Sequence, residues 1–194
     1  MDDFLQSIYL GEIAQECDFC FSTVAKMDEQ LENDMKNQSD FFKDASDLVN
    51  HAAAISRMLW PPSDKNKQKR VRATRRGKAL RKILDVQYNH PIQNRKLRNH
   101  FEHFDERLDD WAHNSRNKNI VRNLIGSPNA IGGDAIDATD IINSYDPSTR
   151  IYSFRGESFN IQELVNAITD INQRVHSVLK QIDPHYEFVY PKQK

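Results

Sequence analysis

Apolar residues in this chain recur at alternating spacings of four and three, and that interval constrains the fold more than any other feature. Ile13, Cys17, Cys20, Val24, Met27 and Leu31 follow it in the first segment. Leu97, Phe101, Phe104, Leu108 and Trp111 follow it in the middle, and Ile161, Leu164, Ile168, Ile171, Val175, Val178 and Ile182 near the end. A helix with about 3.6 residues per turn puts each set on one side, and that side must be buried against another element. With 194 residues the chain can bury a real core as one domain, 1–194. The fold class is mainly α: a bundle of four to five helices with a small β-hairpin insertion near 150–158.

Punctuation residues divide the pattern. The first helix is expected over residues 3–35, ending at Asn33, Asp34, Asn37 and Gln38, with Ser39 or Asp40 capping the second. That second helix carries Phe41, Phe42, Ala45, Leu48, Val49, Ala52, Ile55 and Leu59, and stops at Trp60-Pro61-Pro62, where proline cannot continue the hydrogen-bond ladder. A short connection makes the two antiparallel neighbours. Residues 63–76 are basic and nearly devoid of apolar side chains, and read as a mobile loop. A short helix over 78–87 follows, with Leu80, Ile83 and Leu84 inward, and the central helix spans 93–113. Residues 114–159 form an irregular insertion with turns at Gly126, Pro128, Gly132 and Gly133 and a short helix over 135–143. Within it, 150–154 alternates like a strand before an Arg155-Gly156-Glu157 turn. The last helix opens with Asn160 as cap and Glu163 three residues on, Phe159 stapling against Leu164, and runs to Asp183-Pro184.

Charge is unevenly spread. The net charge is -1, yet residues 65–82 hold ten Lys or Arg and no acid, leaving the rest of the chain at a net of -11. Such a block attracts an anionic partner. No apolar run approaches the roughly 18 residues of a membrane span, and the start Met1-Asp2-Asp3 lacks the positive charge of a signal peptide. A cytoplasmic protein with no membrane partner is expected. Cys17 and Cys20, the two cysteines, stand in a Cys-x-x-Cys arrangement without a second pair, and their place in the apolar stripe makes them core residues.

The central helix concentrates the chemistry. Arg98, Asn99, His100, Glu102 and His103 crowd a helix whose other side carries two phenylalanines and a tryptophan. On a wheel centred on the apolar stripe, His100 lies about 60° away, Arg98 about 100° to one side and His103 about 120° to the other. Asn99, Glu102 and Glu106 fall near the opposite pole. Arg98 and Glu102, spaced i and i+4, can form an ordinary ion pair. His100 and His103 lack the i, i+4 spacing of a helical metal-binding pair, so no metal or other cofactor is expected.

Arg98-Asn99-x-x-x-His103 resembles the Arg-x4–6-His signature of the HEPN superfamily (higher eukaryotes and prokaryotes nucleotide-binding domain), in which the residue after the arginine is often asparagine. The resemblance implies a HEPN-like bundle with the motif on its third or fourth helix. It also implies a metal-independent endoribonuclease of toxin or defence type, with a composite site where two copies of the helix meet. His103 would then accept the proton of the RNA 2′-hydroxyl, since an unperturbed imidazole titrates near neutrality. Arg98 would hold the phosphate oxygens and Asn99 would orient them, with His100 and Glu102 as secondary candidates. Lys69, Arg70, Arg72, Arg75, Arg76, Lys78, Arg81 and Lys82 would track the RNA backbone. Expected partners are RNA, a second copy of the chain, and an antitoxin or other protein. The alternative is a non-catalytic HEPN-like module binding RNA, a nucleotide or a partner protein; Glu102, Glu106, Asp109 and Asp110 make the outward face of the central helix acidic and unwelcoming to RNA.

Overall fold

The structure, a computed structural model, describes residues 3–33, 37–116, 118–127, 131 and 136–186. Helix α1, Asp3–Glu32, and helix α2, Gln38–Leu59, form an antiparallel pair, and α6, Ile161–Ile182, lies along the other side of α1. The cysteines show how α1 is wedged between its neighbours. Both are fully buried, Cys17 Sγ lying 4.0 Å from the Ile168 carbonyl of α6 and Cys20 Sγ 3.9 Å from the Leu48 carbonyl of α2. Burial pushes both thiols far above the ordinary cysteine range, as expected of inert core residues. The cap of α2 falls earlier than Ser39 or Asp40: Asn37 accepts the Ser39 N–H, and Asp34 lies outside the described residues. Asn160 caps α6 as expected, accepting the Glu163 N–H at 3.1 Å.

The basic stretch departs from the expected loop. Residues Lys67–Ile83 form helix α3, so the short helix over 78–87 is the second half of a longer one. Asn66 accepts the N–H groups of Gln68 and Lys69, and Asp64 accepts that of Asn66. Lysine, arginine, glutamine and alanine are good helix formers, so the absence of an apolar stripe did not make the segment irregular. What docks α3 is largely polar. Gly77 sits so close to the end of α2 that a Cβ there would lie 2.5 Å from the Leu59 carbonyl oxygen and 2.7 Å from Pro61 Cδ. Arg76 lies over the Tyr9 ring at 5.1 Å and donates to the Arg57 carbonyl. Arg81 is held between the rings of Trp60 at 5.4 Å and Tyr88 at 5.6 Å and donates to the Leu59 carbonyl. Leu80 supplies the one fully buried apolar side chain of the helix itself.

The central helix is bent. After a 3-10 turn at Pro91–Gln93, α4 covers Lys96–Glu102 and α5 covers Phe104–Asn114, with His103 between them at φ -107°, ψ 37°. The hydrogen bonds His103 N–H to Asn99 and Arg107 N–H to the His103 carbonyl persist at 3.1 Å, so the axis kinks without parting. The bend lets one apolar stripe serve two surfaces. Leu97 is buried in the helical core, whereas Phe101 and Phe104 pack edge-on to Phe154. None of the α5 side chains is fully buried, although its stripe carries Phe104 and Trp111.

The segment expected to be an irregular insertion contributes a four-stranded sheet to the core. Strands β1 (Leu124–Ile125), β2 (Asn143–Asp146), β3 (Ile151–Phe154) and β4 (Glu157–Asn160) lie in that order, the first pair parallel and the others antiparallel. The expected hairpin is β3–β4. Arg155 at φ 47° and Gly156 at φ 85° make its two-residue turn, both in the left-handed conformation that suits tight hairpins. The helix expected over 135–143 is replaced by a 3-10 turn, Ala138–Asp140, and the start of β2, while residue 135 lies outside the described residues. Tyr145 packs on Phe41 and Tyr152 on Phe42, fastening the sheet to the start of α2. No described helix is long and apolar enough to cross a membrane.

Candidate functional site

The fold gives Arg98, Asn99 and His103 three different surroundings. Asn99 is exposed on α4, and the His103 side chain at the kink is 52% exposed, with Nδ1 3.2 Å from Glu106 Oε1. Arg98 is not turned outward as the wheel suggested. Its side chain is 23% exposed and pairs with Glu102, while its Nε is buried without a partner. Burial, reinforced by the nearby charges of Arg57 on α2 and of Arg95, holds its pKa below the ordinary arginine value. An arginine there still carries its charge. Within one chain Arg98 and His103 are thus each paired with a nearby carboxylate, Glu102 and Glu106, and no contact joins Arg98 to His103 among the described residues.

His100 is a packing residue. It is 7% exposed, stacked on Phe154 with centroids 4.9 Å apart and edge-on to Phe159 at 5.7 Å, with Nε2 3.3 Å from Glu157 Oε2. The wheel placed it on the shoulder of the stripe; the sheet covers that shoulder. Two further contacts tie α5 to the same sheet. Trp111 Nε1 donates to the Asn119 carbonyl and to Asp140 Oδ1 at 2.9 and 3.0 Å, and Arg155 donates to the Arg107 carbonyl at 2.5 Å. The apolar side of the motif helix is therefore covered by the protein's own chain, while Asn99 and His103 stay open.

The basic residues divide into two groups. Arg76 and Arg81 are committed to docking α3, through Tyr9 and Arg57 and through Trp60, Tyr88 and Leu59. Lys69, Arg70, Arg72, Arg75, Lys78 and Lys82 are exposed, and among the described residues no carboxylate comes within 4.0 Å of any α3 cation. The placement is costly for the helix itself, because Lys67, Lys69 and Arg70 sit at its positive N-terminal end with no acid in the first turn.

A wide-mouthed cleft of about 450 Å³ lies beside the motif, its walls formed by residues from Asn89 to Asn99. His90 fixes its shape. His90 Nδ1 accepts the Ile92 N–H, so Nε2 carries the proton toward Asp170, 3.2 Å away, which Arg174 holds at 2.7 Å. Arg57, Arg95 and Lys96 are cations near the motif that sequence reasoning missed. Arg57 belongs to α2, far upstream in the chain, and no spacing rule links it to Arg98. Among the described residues no three His, Cys, Asp or Glu side chains converge as a metal site would require. Comparison with models of known protein families, with characterised proteins and with solved structures finds no match, so the site is read from its own geometry.

Proposed function

We propose that this chain is an RNA-binding helical module of HEPN-like type, engaging the RNA backbone through the exposed face of α3. The observation that carries the reading is the set of six exposed cations on one docked helix with no carboxylate in ion-pairing range. The exposed face offers little apolar surface, Val71 being its exposed large aliphatic residue. This suits phosphate contacts better than insertion into a lipid surface. If all six cations meet phosphates of a single strand, log K should fall with log salt with a slope of about -4. The test measures RNA binding across a salt series with wild type and with Arg72, Arg75, Lys78 and Lys82 changed to Gln. A flat salt response, or unaltered binding by the variant, would refute the reading.

A second reading, the metal-independent endoribonuclease, is favoured by the exposed His103–Glu106 pair with Asn99 one helical turn away. A carboxylate beside an imidazole is the arrangement that orients a general base. Arg98 is committed to Glu102, so this reading requires a second copy of α4 to bring arginine and histidine together across a homodimer. RNA incubated with the protein in EDTA tests it, with products scored for 2′,3′-cyclic phosphate and 5′-hydroxyl ends. Equal activity of wild type and His103→Ala would end the catalytic reading and leave the binding module. The toxin or defence role and an antitoxin partner belong to this second reading.

A further inference from the structure

Two routes lead from α3 to the chain segments that border the 450 Å³ cleft beside α4. On one route Arg76 of α3 bonds the Arg57 carbonyl of α2, and the charge of Arg57 acts on Arg98, the residue before Asn99 of the cleft wall. On the other, Arg81 of α3 holds the ring of Tyr88, whose neighbour Asn89 begins the cleft wall. Tyr88 is 70% exposed although its ring is braced by a cation on one side. A large aromatic ring fixed in position and left open to solvent is a stacking platform.

The cleft wall is chemically distinctive. It includes Asn89, Gln93, Asn94, Arg95, Lys96 and Asn99, with no carboxylate. Asn94 uses its side-chain oxygen to accept the Lys96 N–H at 3.0 Å. Among the described residues the side chains of Asn89, Gln93, Arg95, Lys96 and Asn99 make no hydrogen bond or ion pair of their own. Carboxamides present both donors and acceptors, which is what base edges require, and two cations suit a phosphate. The volume lies in the range of ligand sites, yet the wide mouth would leave a free small molecule largely exposed. A segment of polymer held at both ends fits such a cleft better.

We propose that the cleft lined by residues from Asn89 to Asn99 takes an unstacked nucleotide of single-stranded RNA, its phosphate held by Arg95 and Lys96 and its base stacked on exposed Tyr88, the residue just before the cleft wall, where the strand leaves the α3 face. The inference rests on the RNA-binding reading of α3 and names its substrate class: single strands rather than duplex, whose bases are stacked away.

Fluorescence anisotropy on the full chain tests this, using a labelled single-stranded uridine RNA of about twelve nucleotides, within the usual site sizes, and a duplex RNA of the same length. Tyr88→Ala should weaken single-strand binding about tenfold, the scale of losing one base–aromatic stack, and leave duplex binding unchanged. Tyr88→Phe, which keeps the ring, should bind as wild type. Arg95→Gln with Lys96→Gln should also weaken the single strand by about tenfold or more. If the Tyr88→Ala and cleft variants bind the single strand as wild type does while neutralising α3 abolishes binding, the cleft assignment fails and RNA binding by α3 stands. Equal loss for single strand and duplex would overturn the stacking claim. If wild type binds neither RNA, both readings fall.

Discussion

Gly77 is the point at which the position of the basic helix can be tested most sharply. In an isolated helix, Gly→Ala is stabilising by about 1 kcal/mol, because alanine loses less backbone freedom. At position 77 the added methyl would meet the Leu59 carbonyl oxygen at 2.5 Å and Pro61 Cδ at 2.7 Å. Neither belongs to a flexible side-chain end: one is backbone and the other a proline ring. Relief requires α3 to move away from the end of α2 by roughly 1 Å, and overpacking of this kind costs about 1–3 kcal/mol. The same motion withdraws fully buried Leu80 and loosens the Arg81 bond to Leu59, so further packing energy is lost. The net expectation for Gly77→Ala is a destabilisation of about 1–2 kcal/mol, or about 3–6 °C in Tm for a domain of this size. Urea unfolding followed by far-UV circular dichroism measures it. A variant as stable as wild type, or more stable, would refute the close docking of α3, and with it the rigid presentation of the basic face.

Acid should weaken the fold. Burial is the main force holding the pKa of His90 below the ordinary histidine value, despite the Asp170 bond, and burial with Lys180 does the same for His176. The unfolded chain therefore binds protons more readily than the folded one. The contribution is fully present above the unfolded pKa near 6.5 and is lost as pH falls below it; urea midpoints at pH 7.5 and 5.5 should show the decline. His90→Asn should flatten part of it, and a pH-independent midpoint would contradict the burial of both rings. Trp111→Phe removes the donor to Asp140, a carboxylate 1% exposed, and should cost about 1–3 kcal/mol in thermal unfolding. A cost near zero would mean that the α5–sheet contact is not held by that bond. Cys17 and Cys20, both fully buried, should resist a thiol reagent in the native protein and react once it is unfolded in urea. Rapid native labelling would place α1 differently.

The sequence by itself determined the elements whose stabilisation is local and periodic. Helices α1, α2 and α6, the Asn160 cap, the proline stop after Trp60 and the β3–β4 hairpin all depend on residues close in the chain or on a regular stripe. The core place of both cysteines followed from the same period. Tertiary structure decided the rest. Helix α3 docks through a glycine and two arginines, polar contacts that leave no apolar period to read. The parallel pairing of β1 with β2 joins residues 20 apart in sequence, and the kink at His103 arises because one stripe must meet both the helical core and the sheet. Arg98, Asn99 and His103 were legible as a motif, since their spacing on a helix is a local fact. That Arg98 is half-buried near the charge of Arg57, that His100 is packed under the sheet, and that Tyr88 stands open to solvent depend on which surfaces meet, which no spacing along one helix encodes.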